Sequence, residues 1–106
     1  MNYYDIVSAI AHGEKIYNLP LRVTYYCRVS TDSDVQLNSL DNQIDYYETY
    51  IKKNKTWSFV DGYVEEGVTG TRADKRLSFI RMIRDAKLNK FDLIITKDVS
   101  RFARDL

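Results

Sequence analysis

Leu21-Arg22-Val23-Thr24-Tyr25-Tyr26-Cys27-Arg28-Val29-Ser30-Thr31-Asp32 is the stretch on which the reading of this chain turns. Leu21 to Arg28 is rich in β-formers and apolar along most of its length, as in a central parallel strand covered on both faces. An arginine, a serine and a threonine stand where that strand stops. In an open α/β sheet, ligands and reactive groups collect outside the carboxyl ends of the strands. Ser30 is therefore a candidate nucleophile and Arg28 a candidate cation beside it.

Downstream, Thr31 to Asn38 is polar and reads as a loop. Leu37, Leu40, Ile44, Tyr47 and Ile51 then recur at spacings of three and four, the apolar stripe of a helix. Asn38, Ser39 and Asp41 are its candidate caps, and Lys52, Lys53 and Lys55 suit its C-terminal end. Trp57 to Val64 reads as a second strand, with Asp61-Gly62 marking a bulge or bend. Glu65-Glu66-Gly67-Val68-Thr69-Gly70-Thr71-Arg72 is a loop by its glycines, and Lys75 and Arg76 make it basic. Phe79, Met82, Ile83 and Ala86 share one face of a second helix, with Asn89 as its stop. Phe91 to Thr96 is a third apolar strand, closed by Lys97 and Asp98. Strand–helix–strand–helix–strand specifies an α/β fold with a mainly parallel central sheet flanked by helices.

Upstream, residues 2–12 carry a weak helical period through Ile6, Val7, Ile10 and Ala11, with Gly13 as the stop. Ile16 to Pro20 reads as extended. Residues 1–20 are thus expected to form an arm or short helix outside the main fold, and 21–106 the domain.

Composition limits the function. With 16 basic and 15 acidic residues the net charge is +1, so no global basic footprint exists and any nucleic-acid contact rests on a local cluster. The single cysteine, Cys27, forbids an intrachain disulfide and reads as a small buried hydrophobe. His12 is the lone histidine, so neither a zinc site nor a Ser-His-Asp triad is expected. No apolar run approaches the roughly twenty residues that span a bilayer, and the N-terminus does not read as a signal peptide. A cytoplasmic protein without cofactor or metal is the expectation.

Three strand ends carry polar residues: Arg28 with Ser30; Glu66 with Arg72 and Arg76; Lys97 and Asp98 with Arg101 and Arg104. A parallel sheet turns all three ends to one side. Arginine binds phosphate oxygens through a planar fork and stays charged at working pH. Arginines around a hydroxyl suit phosphoryl transfer, because they bind the anion, stabilise the charge that builds on it and activate the serine. The residues alone thus specify a phosphate-handling α/β domain.

At these positions the chain resembles the catalytic domain of the serine recombinases, the resolvase/invertase family, and most of all the large serine recombinases and transposases. Tyr26-Cys27-Arg28-Val29-Ser30-Thr31 resembles the nucleophile motif. Ser39-Leu40-Asp41-Asn42-Gln43 resembles the opening of the family's first helix. Glu66-Gly67-Val68-Thr69-Gly70-Thr71 with Arg76-Leu77-Ser78-Phe79 resembles its acidic glycine loop. Phe91-Asp92 to Lys97 with Ser100-Arg101-Phe102-Ala103-Arg104-Asp105 resembles its final arginine motif.

The resemblance implies a three-layer resolvase-like domain that cuts the DNA phosphodiester through a 5′-phosphoserine. Strand exchange and resealing would follow within a homodimer or tetramer of the full-length protein, of bacterial or mobile-element origin. It implies Ser30 as nucleophile, with Arg28, Arg76, Arg101 and Arg104 as active-site arginines. Gln43, Glu66 and Asp98 would support them, and Arg72 and Lys97 would bind DNA phosphate. Ser100 and Leu77 depart from the small resolvases, which carry aspartate and proline there, and Asn38 stands where they carry glutamine. The chain is expected to be a fragment that stops before the fourth strand and the long interface helix. The competing reading is a non-catalytic assembly or partner-binding module of the same fold, motivated by the tyrosine-rich helix and the N-terminal arm. A flavodoxin-like phosphate-binding regulator fits less well, for want of an acidic pocket or glycine-rich phosphate loop.

Overall fold

The central strand, β1 (Arg22–Ser30), pairs in parallel on one side with β2 (Ser58–Gly67) and on the other with β3 (Leu93–Ile95), giving the order β2-β1-β3. This computed structural model describes residues 1–30, 34–67 and 76–96, and at 29–30, 34–40 and 66–67 it describes the backbone alone. Helix α2 (Asp34–Lys53) links β1 to β2, and α3 (Leu77–Lys87) links β2 to β3. Parallel crossovers are almost always right-handed. Since β2 and β3 flank β1 on opposite sides, one hand of crossover sends α2 and α3 to opposite faces of the sheet.

The two-residue period of β1 feeds both faces. Val23, Tyr25 and Cys27 point to one face and pack with Tyr47 and Ile51 of α2, Trp57, Leu19 and Leu21. Tyr26 points to the other and packs with Tyr63, Phe91, and Phe79 and Met82 of α3. Val23, Ile51 and Met82 are fully enclosed, and burying each contributes about 2 kcal/mol. The sheet is therefore covered on both faces, which is why β1 reads as an almost unbroken apolar run. Cys27 is buried in the first of these cores, and burial pushes its thiol up to about 11.

The bend expected at Asp61-Gly62 is a bulge. Val23 pairs with Phe59 but Tyr25 pairs with Gly62, so the register slips by one residue between them. The carbonyl of Asp61, turned out of the ladder, accepts from the hydroxyl of fully buried Thr24. Gly62 is required for space: a Cβ there would run into the Tyr25 ring. That ring cannot swing aside, because it is stacked between Tyr47 at 5.2 Å and Phe59 at 5.9 Å.

Several boundaries differ from the sequence reading. β1 runs on to Ser30, past the expected end at Arg28, so Ser30 belongs to the strand. α2 begins at Asp34, so residues 34–38 belong to the helix and Asn38, Ser39 and Asp41 lie inside it rather than capping it. An aspartate in the first turn suits the helix dipole, and the polar composition concealed that turn. Ile16–Asn18 is a single 3-10 turn rather than extended chain. Its carbonyls take up side chains: Ile16 accepts from the Trp57 indole at 3.2 Å, and Tyr17 from the Thr56 hydroxyl at 2.6 Å. Tertiary partners decide that turn. β2 runs on to Gly67, past the expected end at Val64, because β1 continues beside it to Ser30. β3 is shorter than Phe91–Thr96, because Phe91 turns into the α3-side core and the Asp92 side chain binds Arg22. α3 does stop near Asn89, which has φ 60, a conformation asparagine tolerates.

At the N-terminus, α1 (Tyr3–Ala11) is closed by a reciprocal capping box between Asn2 and Asp5. Ile6 and Ala9 pack against the α2-side core, while Tyr3, Tyr4, Val7 and Ile10 remain exposed.

Candidate active site

β1 and β2 run side by side beyond the last β3 pairing. Tyr25 is opposite Ile95, and Arg28, Val29 and Ser30 continue opposite Glu65, Glu66 and Gly67. The carboxyl edge of the sheet thus carries the strand ends that the sequence singled out. Arg28 is exposed there. Ser30 and Glu66 are placed by their backbones, each as part of the ladder. Arg72, Lys97, Asp98, Arg101 and Arg104 lie outside the described residues.

The Glu65 carboxylate lies on the face of the sheet that carries α3. It is 6% exposed. Its two oxygens accept from the first free amides of α3, Ser78 N at 3.2 Å and Phe79 N at 3.1 Å. An anion there satisfies orphan donors and meets the positive end of the helix dipole. The Ser78 hydroxyl fastens the same turn to β2 by donating to the Val64 carbonyl at 2.6 Å. Sequence reasoning singled out Glu66 and passed over Glu65. Strand parity relative to the apolar positions is the signal that distinguishes them.

Arg76 occupies the N-cap of α3 with φ 52 and ψ 49 and makes no side-chain cap. Left-handed backbone costs a residue with a Cβ about 1 kcal/mol. The guanidinium turns back to the sheet. Its Nη2 donates to the Tyr26 hydroxyl at 3.2 Å, and its carbon lies 4.0 Å from the centre of the Phe79 ring. Phe79 meets Tyr26 edge-to-face at 5.6 Å. Burial raises the Tyr26 phenol above its usual range, against the opposing pull of the Arg76 hydrogen bond and charge and of the Arg28 charge. The structure therefore brings Arg28, Glu65, Tyr26 and Arg76 together on the α3 side of the sheet. In the sequence, Phe79 reads as part of the apolar face of the second helix and Tyr26 as part of the first strand, and neither is singled out as a site residue.

Gln43 is on α2, at the other face of the sheet from α3. With Asn42, Tyr46, Tyr47, Tyr50, Ile95 and Thr96 it lines a cleft of about 600 Å³ between α2 and the end of β3. Among the described residues this lining is aromatic and amide, and it forms a recess beside the carboxyl edge.

Among the described residues, no three or more His, Cys, Asp or Glu side chains come together as metal ligands. No described helix is long and apolar enough to cross a membrane. Two arginines at the open edge of a parallel sheet, one held on an aromatic platform, suit an oxyanion with a planar face. In comparison with known proteins, the family model for the resolvase N-terminal domain matches residues 23–106. No curated protein matches the chain.

Proposed function

Because the chain belongs to the resolvase N-terminal domain family, a family of serine recombinase catalytic domains that act on DNA, we propose that it breaks and rejoins a DNA phosphodiester with Ser30 as nucleophile. The serine oxygen attacks phosphorus and the bond to the 3′ oxygen breaks. The 5′ phosphate remains esterified to Ser30, and the 3′ oxygen leaves as a hydroxyl after taking a proton. Arg28 and Arg76 hold the non-bridging oxygens, joined by Arg101 and Arg104, and stabilise the charge that accumulates in the transition state. Glu66 or Asp98 takes the serine proton, Gln43 supports the site, and Arg72 and Lys97 engage flanking phosphates. The ester conserves the energy of the broken bond, so attack by a 3′ hydroxyl reseals DNA without a cofactor. Exchange of strands requires several catalytic domains, which calls for a dimer or tetramer of the complete protein.

One observation supports this reading above the rest: Arg28 and Arg76 flank Tyr26 at the end of the strand that carries Ser30. Positions 26, 28 and 30 share one face of a strand by its two-residue period. The test is to incubate the complete polypeptide that carries this chain with nicked suicide DNA and look for a covalent protein–DNA adduct. Wild type should form it and Ser30→Ala should not. An adduct that survives in Ser30→Ala removes Ser30 from the mechanism.

A second reading, an assembly module, is favoured by the exposed Tyr3, Tyr4, Val7 and Ile10 of α1. It gains if wild type forms no adduct with any DNA.

A further inference from the structure

Tyr26 is buried, and its hydroxyl bonds an arginine. The ring is 4% exposed and belongs to the α3-side core. A phenylalanine would fill that core equally well and would avoid placing a hydroxyl in it, which has a cost unless the group is bonded. The hydroxyl accepts from Arg76 Nη2 at 3.2 Å. Phe79 lies 4.0 Å beneath the same guanidinium, and Tyr26 fixes the Phe79 ring edge-to-face. Arg76 itself starts α3 from a left-handed backbone, and Glu65 binds the two amides that follow within that turn. Backbone, plane and in-plane rotation of this one guanidinium are each set by a different residue.

We propose that Tyr26 is a positioning residue: together with Phe79, and with Glu65 holding the turn, it locks the plane of the Arg76 guanidinium toward the phosphate attacked by Ser30. This rests on the recombinase reading for its consequence and on the geometry alone for the lock. A phenol and a ring orient a cation without adding an opposite charge of their own. Of the five donors of a guanidinium, the one bonded to Tyr26 is on Nη2. Because Tyr26 is buried and acts through Arg76, removing its hydroxyl should slow the chemical step and leave DNA binding nearly unchanged.

The experiment compares wild type, Tyr26→Phe, Arg76→Ala and the double variant in the complete polypeptide. Adduct formation is followed on suicide DNA over a range of DNA concentrations. The Arg76 side-chain nitrogens are observed by 15N NMR, with Arg76→Ala assigning the signal. Tyr26→Phe should unfold within a few degrees of wild type and slow adduct formation at saturating DNA by ten- to a hundredfold. Its half-saturating DNA concentration should stay within twofold. The slow rotation of the Arg76 guanidinium seen in wild type should become fast. The double variant should be no slower than Arg76→Ala alone. Phe79→Leu, which keeps an apolar side chain and removes the platform, should repeat the pattern. Wild-type rates in Tyr26→Phe, an unchanged Arg76 signal, or a loss that adds to that of Arg76→Ala would overturn the proposal. If wild type forms no adduct, the recombinase reading falls, and the NMR comparison still decides whether Tyr26 holds Arg76.

Discussion

Arg22 and Arg76 stand at opposite edges of the same sheet and are held by different chemistry. At the amino edge, Arg22 grips Asp92 with two prongs, Nη2 to Oδ1 at 2.9 Å and Nε to Oδ2 at 3.1 Å. The two residues also exchange backbone-directed bonds: Arg22 N donates to Oδ2 at 2.8 Å, and Asp92 N to the Arg22 carbonyl at 2.7 Å. Arg22 Nη1 reaches the Asn89 carbonyl at 2.8 Å. This is a brace that ties β1 to the entry of β3. At the carboxyl edge, Arg76 rests on a phenol and a ring. The brace uses its arginine to close the structure, whereas the aromatic holder presents its arginine. Arg22 is closed on a carboxylate that ties two strands together, whereas the described contacts of Arg76 include a hydroxyl and a ring face that set its direction.

The sharpest way to break that contrast is to remove each arginine. Arg76→Ala should slow adduct formation by about a hundred- to a thousandfold, the usual loss of one transition-state donor, with a small change in the denaturation midpoint. Arg22→Ala should do the reverse, lowering the midpoint while adduct formation by the folded fraction persists. Comparable effects of both on catalysis would dissolve the distinction.

Between the edges, Gly62→Ala should cost about 2–3 kcal/mol in urea denaturation, because the added methyl forces the stacked Tyr25 ring to move. Unchanged stability would mean that the bulge can shift and that the sheet does not transmit a fixed geometry from one edge to the other.

Asp92→Asn should cost about 2 kcal/mol by weakening a charge-assisted pair whose acid side chain is 6% exposed. The pH dependence follows from the same group. Burial alone would raise the Asp92 carboxyl, but the side-chain and backbone hydrogen bonds from Arg22 outweigh it and hold the carboxyl below its usual value. The folded state therefore holds this proton more weakly than the unfolded chain. The stabilisation is whole at neutral pH and is lost only below about pH 4, as the pH falls from the unfolded value through the folded one. Asp92→Asn should flatten that acid limb in a pH series of melting temperatures.

Glu65→Gln should have the smallest effect, about 1 kcal/mol, since the amide retains one acceptor for the α3 amides and loses the charge that suits the helix end. If it also slows adduct formation, the turn that carries Arg76 is part of the holder. If it alters only the melting temperature, Glu65 belongs with the brace.

Much of this architecture was legible in the residues. The apolar run Val23 to Cys27 could be covered on both faces only in a parallel sheet, and the three- and four-residue spacings of Ile44, Tyr47 and Ile51 left one side for α2. Asp61-Gly62 signalled the bulge because glycine in a strand interior marks a place where something comes close. The tyrosine beneath it was not legible, since the partner is 37 residues away. The start of α2 was hidden because polar residues at a helix entrance look like a loop. The role of Glu65 was passed over because two acidic residues stand side by side; its parity with Tyr63, which packs in the α3-side core, gives Glu65 to α3.

The sequence by itself determined the order of elements, the parallel sheet and the family, because periodicity and motif spacing are local and survive without coordinates. The tertiary structure alone decided that Arg76 is aimed by Tyr26 and Phe79, that Arg22 is closed by Asp92, and that Gln43 lies across the sheet from Tyr26. Those facts depend on which residues fifty or seventy positions apart in the chain come within about 3 Å of each other, and that distance is set by packing.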